Sequence, residues 1–278
     1  MCRWLAYSGS PIHLDELLVK PKHSLIDQSL HSTMGATTTN GDGFGIGWYD
    51  GVSGEPGVFH STDPAWNDRN LRSLAQHLNS PVILAHIRAS TGGAIQQTNC
   101  HPFRYGNWLW MHNGLIRDFA KVKRDLVLAV DPELYPHIEG STDSEVFFHL
   151  ALTFGLAEDP PGAVERAVGL IEAVGHAHGV EQPIQMTVGT SDGQRVWAFR
   201  YSSEGSSRTL FFSKAIDTLR AHYPNNPALW TVSEETRIVV SEPFGGLVGA
   251  WQEVPESSWG VIEPGPDSLH AFTPQPPD

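Results

Sequence analysis

The sequence predicts an α+β layered sandwich, on three observations. Short apolar or alternating runs up to residue 116 read mainly as strands; capped segments between residues 141 and 177 read as helices; from Ile184 the pattern returns to strands. Strands, then helices, then more strands argue for segregated layers and against the alternation of a doubly wound parallel sheet. No internal repeat or low-complexity linker divides the chain, so one large domain is expected, followed by a proline-bearing, loosely held tail from Pro264.

In order, residues 3–7 read as a short strand. Asn40-Gly41-Asp42-Gly43 is a turn that feeds Phe44-Gly45-Ile46-Gly47-Trp48-Tyr49, a strand in which glycine alternates with larger side chains. Leu71, Leu74, Ala75 and Leu78 share one helical face over residues 70–78. Residues 82–89 form an apolar strand ending near Arg88, and residues 108–112 form another that stops at Asn113-Gly114. Thr142 and Glu145 have capping-box spacing ahead of Val146, Phe147, Phe148 and Leu150. Asp159-Pro160-Pro161 opens a second helix with Val164, Ala167, Val168, Ile171 and Val174 on one stripe. Ser191-Asp192-Gly193 between residues 186–188 and 195–199 is a hairpin signal, and residues 210–212, 237–240 and the surroundings of Trp251 and Val261 add strands.

Composition narrows the function. Hydrophobic residues make up 40% and charged residues 18%, ordinary for a folded globular protein. The formal charge is −13 and no lysine or arginine run exceeds two residues, which argues against nucleic acid and anionic membrane surfaces as partners. Two cysteines build no disulfide framework and suit a reducing compartment. With no basic-then-apolar opening and no apolar run of the roughly 20 residues a membrane helix needs, a cytoplasmic location is expected.

Cys2 follows the initiator methionine, which is normally trimmed when the next side chain is small. The mature chain is therefore expected to begin at Cys2, joining a thiol of pKa roughly 8.5 to an α-amine of roughly 7.7–8.0 that can take its proton. Arg88, at a strand end beside Ser90-Thr91-Gly92-Gly93, can present its planar fork to a carboxylate or sit in a surface ion pair. Asn113 and the Gly114 N–H offer two adjacent donors of oxyanion-hole type, although Asn-Gly is also a favoured hairpin dipeptide. Asp143, in the first turn of a helix, can accept an ammonium group, stabilise the helix start, or both.

Other features point less far. His86, His101 and His112 lie near these candidates, but no HExxH, CxxC or carboxylate cluster accompanies them, so no metal and no cofactor is expected. The spacing in residues 41–47 fails the dinucleotide fingerprint. Cys100 reads as a buried small hydrophobe. Trp48, Trp108 and Trp110 fit either a cage for a trimethylammonium group or core packing.

Taken together, Cys2, Asn40-x-Asp42-Gly43, His86-Ile87-Arg88-Ala89-Ser90-Thr91, His112-Asn113-Gly114 and Ser141-Thr142-Asp143-Ser144-Glu145 resemble, in type and order, the class II glutamine amidotransferases. These are N-terminal-nucleophile hydrolases with a four-layer αββα sandwich. The chain is most similar to standalone members: the γ-glutamyl hydrolase of ergothioneine biosynthesis, the amidohydrolase subunit of the yeast glutathione-degrading complex, and the YafJ-like bacterial proteins. The resemblance implies an amidotransferase-type domain over residues 1–263 and a tail over residues 264–278. It implies Cys2 as nucleophile with its amine as base, Asn113 and Gly114 as the oxyanion hole, Arg88 on the substrate α-carboxylate and Asp143 on its α-ammonium.

Fused synthases of the family have Trp and His where this chain has Ala89 and Gly92, so a closed, glutamine-only pocket is not implied. The implied substrate is a small γ-glutamyl amide, cleaved through a γ-glutamyl thioester. Two rivals remain open: a glutaminase subunit that delivers ammonia to a partner synthetase, or works with a peptidase subunit, and a catalytically silent binding relative.

Overall fold

Alternation along the first strand sets the layering. In β1 (Arg3–His13), Leu5 and Tyr7 pack on one side and Trp4 and Ala6 on the other, all four fully buried. A strand buried on both faces needs a covering layer on each side. The computed structural model describes residues 2–34, 39–90, 93–222, 224–225, 227–245, 249–263 and 268–276. Met1, Thr91 and Gly92, which figured in the sequence reading, lie outside the described residues, as does part of the tail.

The chain continues through α1 (Asp15–Leu18), α2 (Leu25–Leu30), β2 (Phe44–Tyr49), β3 (Gly57–Ser61), α3 (Arg69–His77) and β4 (Asn79–Ile87). Then come β5 (Phe103–Tyr105), β6 (Trp108–Ile116), α4 (Phe119–Leu128), α5 (Asp143–Thr153), α6 (Pro160–Ala177), β7 (Ile184–Ser191) and β8 (Val196–Ser202). It ends with β9 (Phe211–Ser213), α7 (Ile216–His222), β10 (Arg237–Val240), β11 (Trp251–Glu253), β12 (Ser258–Ile262) and β13 (Ser268–Ala271). One sheet runs β11-β9-β10-β1-β4-β2-β3 and the other β13-β12-β8-β7-β6-β5, and every pairing is antiparallel.

Three apolar clusters separate four layers. Leu14, Leu17, Leu25, Leu71 and Ala75 seat α1 to α3 on Leu5, Phe44, Ile46 and Ile83 of the first sheet. Trp4, Leu84, Leu109, Met111, Ala198 and Val239 fill the space between the sheets. Trp110, Met186, Val188 and Phe199 of the second sheet receive Val122, Phe147, Leu150, Val164 and Ile171 from α4, α5 and α6. This is the αββα sandwich.

Helix starts match their local signals. Asp159 caps α6 through the Gly162 N–H, with proline at the first helical positions. Thr142 accepts from the Glu145 N–H at 3.2 Å, but the Glu145 carboxylate turns away to the N–H groups of Glu139 and Gly140, both at 2.8 Å. Only half of the expected capping box forms, because the Glu145 carboxylate is taken up by these two loop donors.

Two expectations change. β6 does not stop at Asn113-Gly114; it runs on to Ile116, with Asn113 opposite Thr187 and Gly114 opposite Met186. Glycine is needed at 114 for close approach and not for a turn: a Cβ there would meet the Gln185 carbonyl at 1.9 Å. The tail is anchored where it is described. Ser268–Ala271 pairs with β12, Phe272 is buried, and Glu165 holds the Thr273 N–H and the Gln275 side chain. Of the two readings of the tryptophans the structure shows core packing: Trp108 and Trp110 lie in the helical-side core of the second sheet and Trp48 packs in that of the first.

Candidate active site

Cys2 is half-buried just before β1, whose Arg3 pairs with Ile87 at the end of β4. That register carries the sulfur to the residues following β4. The Ala89 N–H points to Sγ at 3.4 Å, and the thiol lies 3.5 Å from the Ala89 carbonyl. Burial pushes the Cys2 thiol up, outweighing the Ala89 N–H and the positive charges of the chain terminus, Arg88 and Arg3. A raised thiol stays protonated at neutral pH and needs a base to become a nucleophile.

The turn before β2 clasps the same segment. The Asp42 carboxylate accepts the Ser90 N–H at 2.7 Å, the Asp42 N–H donates to the Arg88 carbonyl, and the Arg88 N–H donates to the Gly43 carbonyl. Arg88 is buried, its guanidinium reaching the Asp42 carbonyl at 3.4 Å and Ser90 Oγ at 3.3 Å. Among the described residues it forms no ion pair, and these two weak contacts leave most of its five N–H donors without a described partner.

Asn113 shares the face of β6 that carries Leu109 and Met111 into the space between the sheets. Its Nδ2 donates to the Cys2 carbonyl at 2.9 Å, and Arg3 Nη1 donates to the same oxygen at 2.9 Å. The amide of Asn113 is thus placed beside the nucleophile candidate, and Gly114 follows in the same strand. Asp143 is anchored on the end of that strand: its Oδ2 accepts the Ile116 N–H at 2.7 Å and its Oδ1 the Ser144 N–H at 2.8 Å. It is half-buried and hydrogen-bonds to neither Cys2 nor Arg88. The structure therefore gathers Cys2, Arg88 and Asn113 tightly, with Gly114 and Asp143 on the adjoining stretch.

The three histidines are core. The His86 and His101 rings pack 4.3 Å apart, tilted by 37°, and burial drives His86 down to about 3 and His101 well below the imidazole range. His112 bonds Ser144 Oγ at 2.8 Å and is also lowered by burial, against the pull of Asp143. All three are neutral. Cys100 is buried, and burial raises its thiol to about 11.

One buried network had no signal in the sequence. Arg3 Nε meets Glu242 Oε2 at 2.7 Å, with both side chains almost fully buried, and Arg3 also bonds Ser32 Oγ and the Met34 carbonyl. Glu242 further accepts from Ser32, from the Thr33 N–H and hydroxyl, and from the Met34 N–H, and lies 2.6 Å from His23 Nε2. Burial acts to raise its carboxyl, but Thr33, His23 and Arg3 outweigh it and bring the value from 4.5 down to about 2.

A carboxylate depressed on folding stabilises the fold above its unfolded value and loses that stabilisation as pH falls through its folded value. Glu242→Gln should therefore cost about 3 kcal/mol at pH 7, the gap to wild type closing between about pH 4.5 and pH 2. Denaturant unfolding of both proteins across that range checks it; a gap independent of pH would contradict it.

Comparison with known proteins identifies the family. Residues 19–214 match the family model described as class-II glutamine amidotransferases. A probable glutamine amidotransferase of Saccharomyces cerevisiae is 33% identical, over 97% of this chain and 84% of that one. A γ-glutamyl-hercynylcysteine sulfoxide hydrolase of Mycobacterium tuberculosis is 35% identical over 42% of this chain and 50% of that one. A class-II glutamine aminotransferase domain protein of Silicibacter pomeroyi superposes with a TM-score of 0.74 at 31% identity, covering 99% of this chain and 100% of that one. Glutamine phosphoribosylpyrophosphate amidotransferase of B. subtilis, at 14% identity and a TM-score of 0.64, shares the fold over 99% of this chain and 50% of that one. The chain belongs to the class II glutamine amidotransferases.

Proposed function

We propose that this protein hydrolyses a γ-glutamyl amide, glutamine or a larger γ-glutamyl compound, through a thioester on Cys2. The observation that carries the reading is the convergence of the Cys2 sulfur on the Ala89 peptide beside Arg88, with the Asn113 amide on the Cys2 carbonyl. The relatives named for glutamine transfer and for γ-glutamyl hydrolysis support the same chemistry.

The α-amine of a Met1-processed chain takes the thiol proton and Sγ forms a bond to the γ-carbonyl carbon. Asn113 Nδ2 and the Gly114 N–H stabilise the oxyanion that develops. The ammonium returns the proton to the leaving nitrogen, the C–N bond breaks, and the amine departs. Water, activated by the same amine, then cleaves the thioester to release glutamate and restore the thiol. Arg88 holds the α-carboxylate of the substrate and Asp143 its α-ammonium; the open donors of Arg88 and the spare lone pairs of Asp143 suit those roles.

Because burial keeps the sulfur protonated, the amine must be free for the first step. Activity should accordingly rise from pH 6 and level off near roughly pH 8 as the amine loses its proton. Glutamate release by processed protein, measured on glutamine and on γ-glutamyl amines and peptides across that range, tests the reading. Release from no donor would sink it. If glutamine is the best donor and a partner protein raises the rate, the ammonia-delivering subunit is the better description.

A further inference from the structure

The Cys2 carbonyl ties the buried Arg3 network to the chain start. Arg3 Nη1 donates to that oxygen at 2.9 Å, beside the Asn113 amide. Within one residue, fixed bond lengths and angles keep the α-nitrogen no more than about 3.6 Å from the carbonyl oxygen. The Arg3 guanidinium therefore comes within about 6.5 Å of the Cys2 α-nitrogen, whatever the rotation about the Cα–C bond. It is also fixed in place. Its Nε meets Glu242 Oε2 at 2.7 Å, and its Nη2 is held by Ser32 Oγ and the Met34 carbonyl. The Arg3 and Glu242 side chains are only 2% and 1% exposed, so water screens neither charge well.

The α-amine of a processed chain thus faces a buried cation backed by a buried anion. A cation nearby disfavours the protonated amine, and an anion favours it. Arg3 acts from the corner that bonds the Cys2 carbonyl, and Glu242 acts across the guanidinium from its Nε side. The other elements at the chain start carry few charges. β4 ends in Arg88, and its His86, opposite Trp4, is neutral. The turn before β2 carries Asp42, bonded to the Ser90 N–H, and His23 lies on Glu242. β6 presents the uncharged Asn113, and the segment after α2 presents Ser32 and Thr33. Arg208 and Cys100 also respond to charge on Cys2.

We propose that Arg3 and Glu242 set the basicity of the Cys2 α-amine, Arg3 drawing its proton affinity down and Glu242 holding it up. The balance keeps the amine able both to take the thiol proton and to return it to the leaving nitrogen near neutral pH. Both are positioning residues, since neither touches a reacting atom. This rests on the reading above in which the amine is the base.

The acid limb of kcat/KM for glutamate release reads the amine. Glu242→Gln keeps an acceptor for Arg3 but leaves the cation unbalanced, so the midpoint should fall by about one pH unit. Arg3→Gln removes the cation and leaves the anion, so the midpoint should rise by about one pH unit. Arg3→Lys, which keeps the charge, should stay closer to wild type than to Arg3→Gln. A merely structural pair would lower activity and leave the midpoint in place. That result, or shifts of both variants in one direction, would overturn the proposal. If Arg3→Gln does not fold, the fall in Glu242→Gln and its absence in Arg3→Lys decide. Direct titration of the amine separates this from failure of the hydrolase reading. In Met1-processed Cys2→Ala protein, acetylation of the α-amine by acetic anhydride across pH, read by mass spectrometry, needs no turnover. Opposite shifts from Arg3→Gln and Glu242→Gln there support the proposal even if no donor is cleaved; an amine that titrates alike in every variant refutes it.

Discussion

Cys2→Ala protein should release glutamate from γ-glutamyl donors at least roughly 10⁴-fold more slowly than wild type, the scale on which removal of a covalent nucleophile acts. The change removes one sulfur that touches the Ala89 peptide and leaves β1 with all its strand pairings, so unfolding should shift little. A second form of the same protein sharpens the point. Chains that retain Met1 keep the thiol but bury their amine nitrogen in a peptide bond, which accepts no proton. They should be as inactive as Cys2→Ala, and proteolytic exposure of Cys2 should restore turnover. Mass spectrometry of the terminus beside the glutamate assay reads both. Wild-type rates in either protein would remove Cys2 and its amine from the mechanism.

Asn113→Ala should lower kcat by roughly 10²–10³, or about 2.7–4 kcal/mol of transition-state stabilisation, the range for loss of one oxyanion donor. The structural cost is smaller. The variant loses the bond from Nδ2 to the Cys2 carbonyl, an oxygen that keeps its bond from Arg3 Nη1 at 2.9 Å. One lost hydrogen bond of this kind is worth about 1 kcal/mol, so the melting temperature should fall by only a few degrees. KM should change less than kcat, since the amide acts on charge that develops after binding. Unaltered kcat, or unfolding in proportion to the loss of rate, would show that Asn113 only ties β6 to the chain start.

Both variants act on residues visible in the sequence because their signals are local. Cys2 has its position, Thr142 and Asp159 have capping offsets, and the glycine alternation of β2 marks the close approach of a neighbouring layer. In the structure a Cβ on Gly45 would strike the His101 carbonyl at 2.2 Å. Asn113-Gly114 misled for the opposite reason. Its dipeptide chemistry favours a turn, but the Gln185 carbonyl, 71 residues away, allows only glycine in a continuing strand. Glu242 was invisible because its meaning comes from a partner far along the chain: Arg3 lies 239 residues away. Likewise the proline-bearing tail reads as loose until β12 offers it an edge and Glu165 its carboxylate.

β1 is the fourth of seven strands in its sheet, flanked by β4 and by β10, whose Val240 faces Leu5. β1 is thus the middle of a sheet whose strands β9 to β11 are synthesised long after it. At roughly 5–20 residues per second, β10 follows after roughly 12–50 s. Throughout that interval the edge of β1 that faces β10 is unpaired. Folding of the sheet is ordered by the topology itself: arrival of residues 237–242 closes the strand and fastens Glu242 onto Arg3.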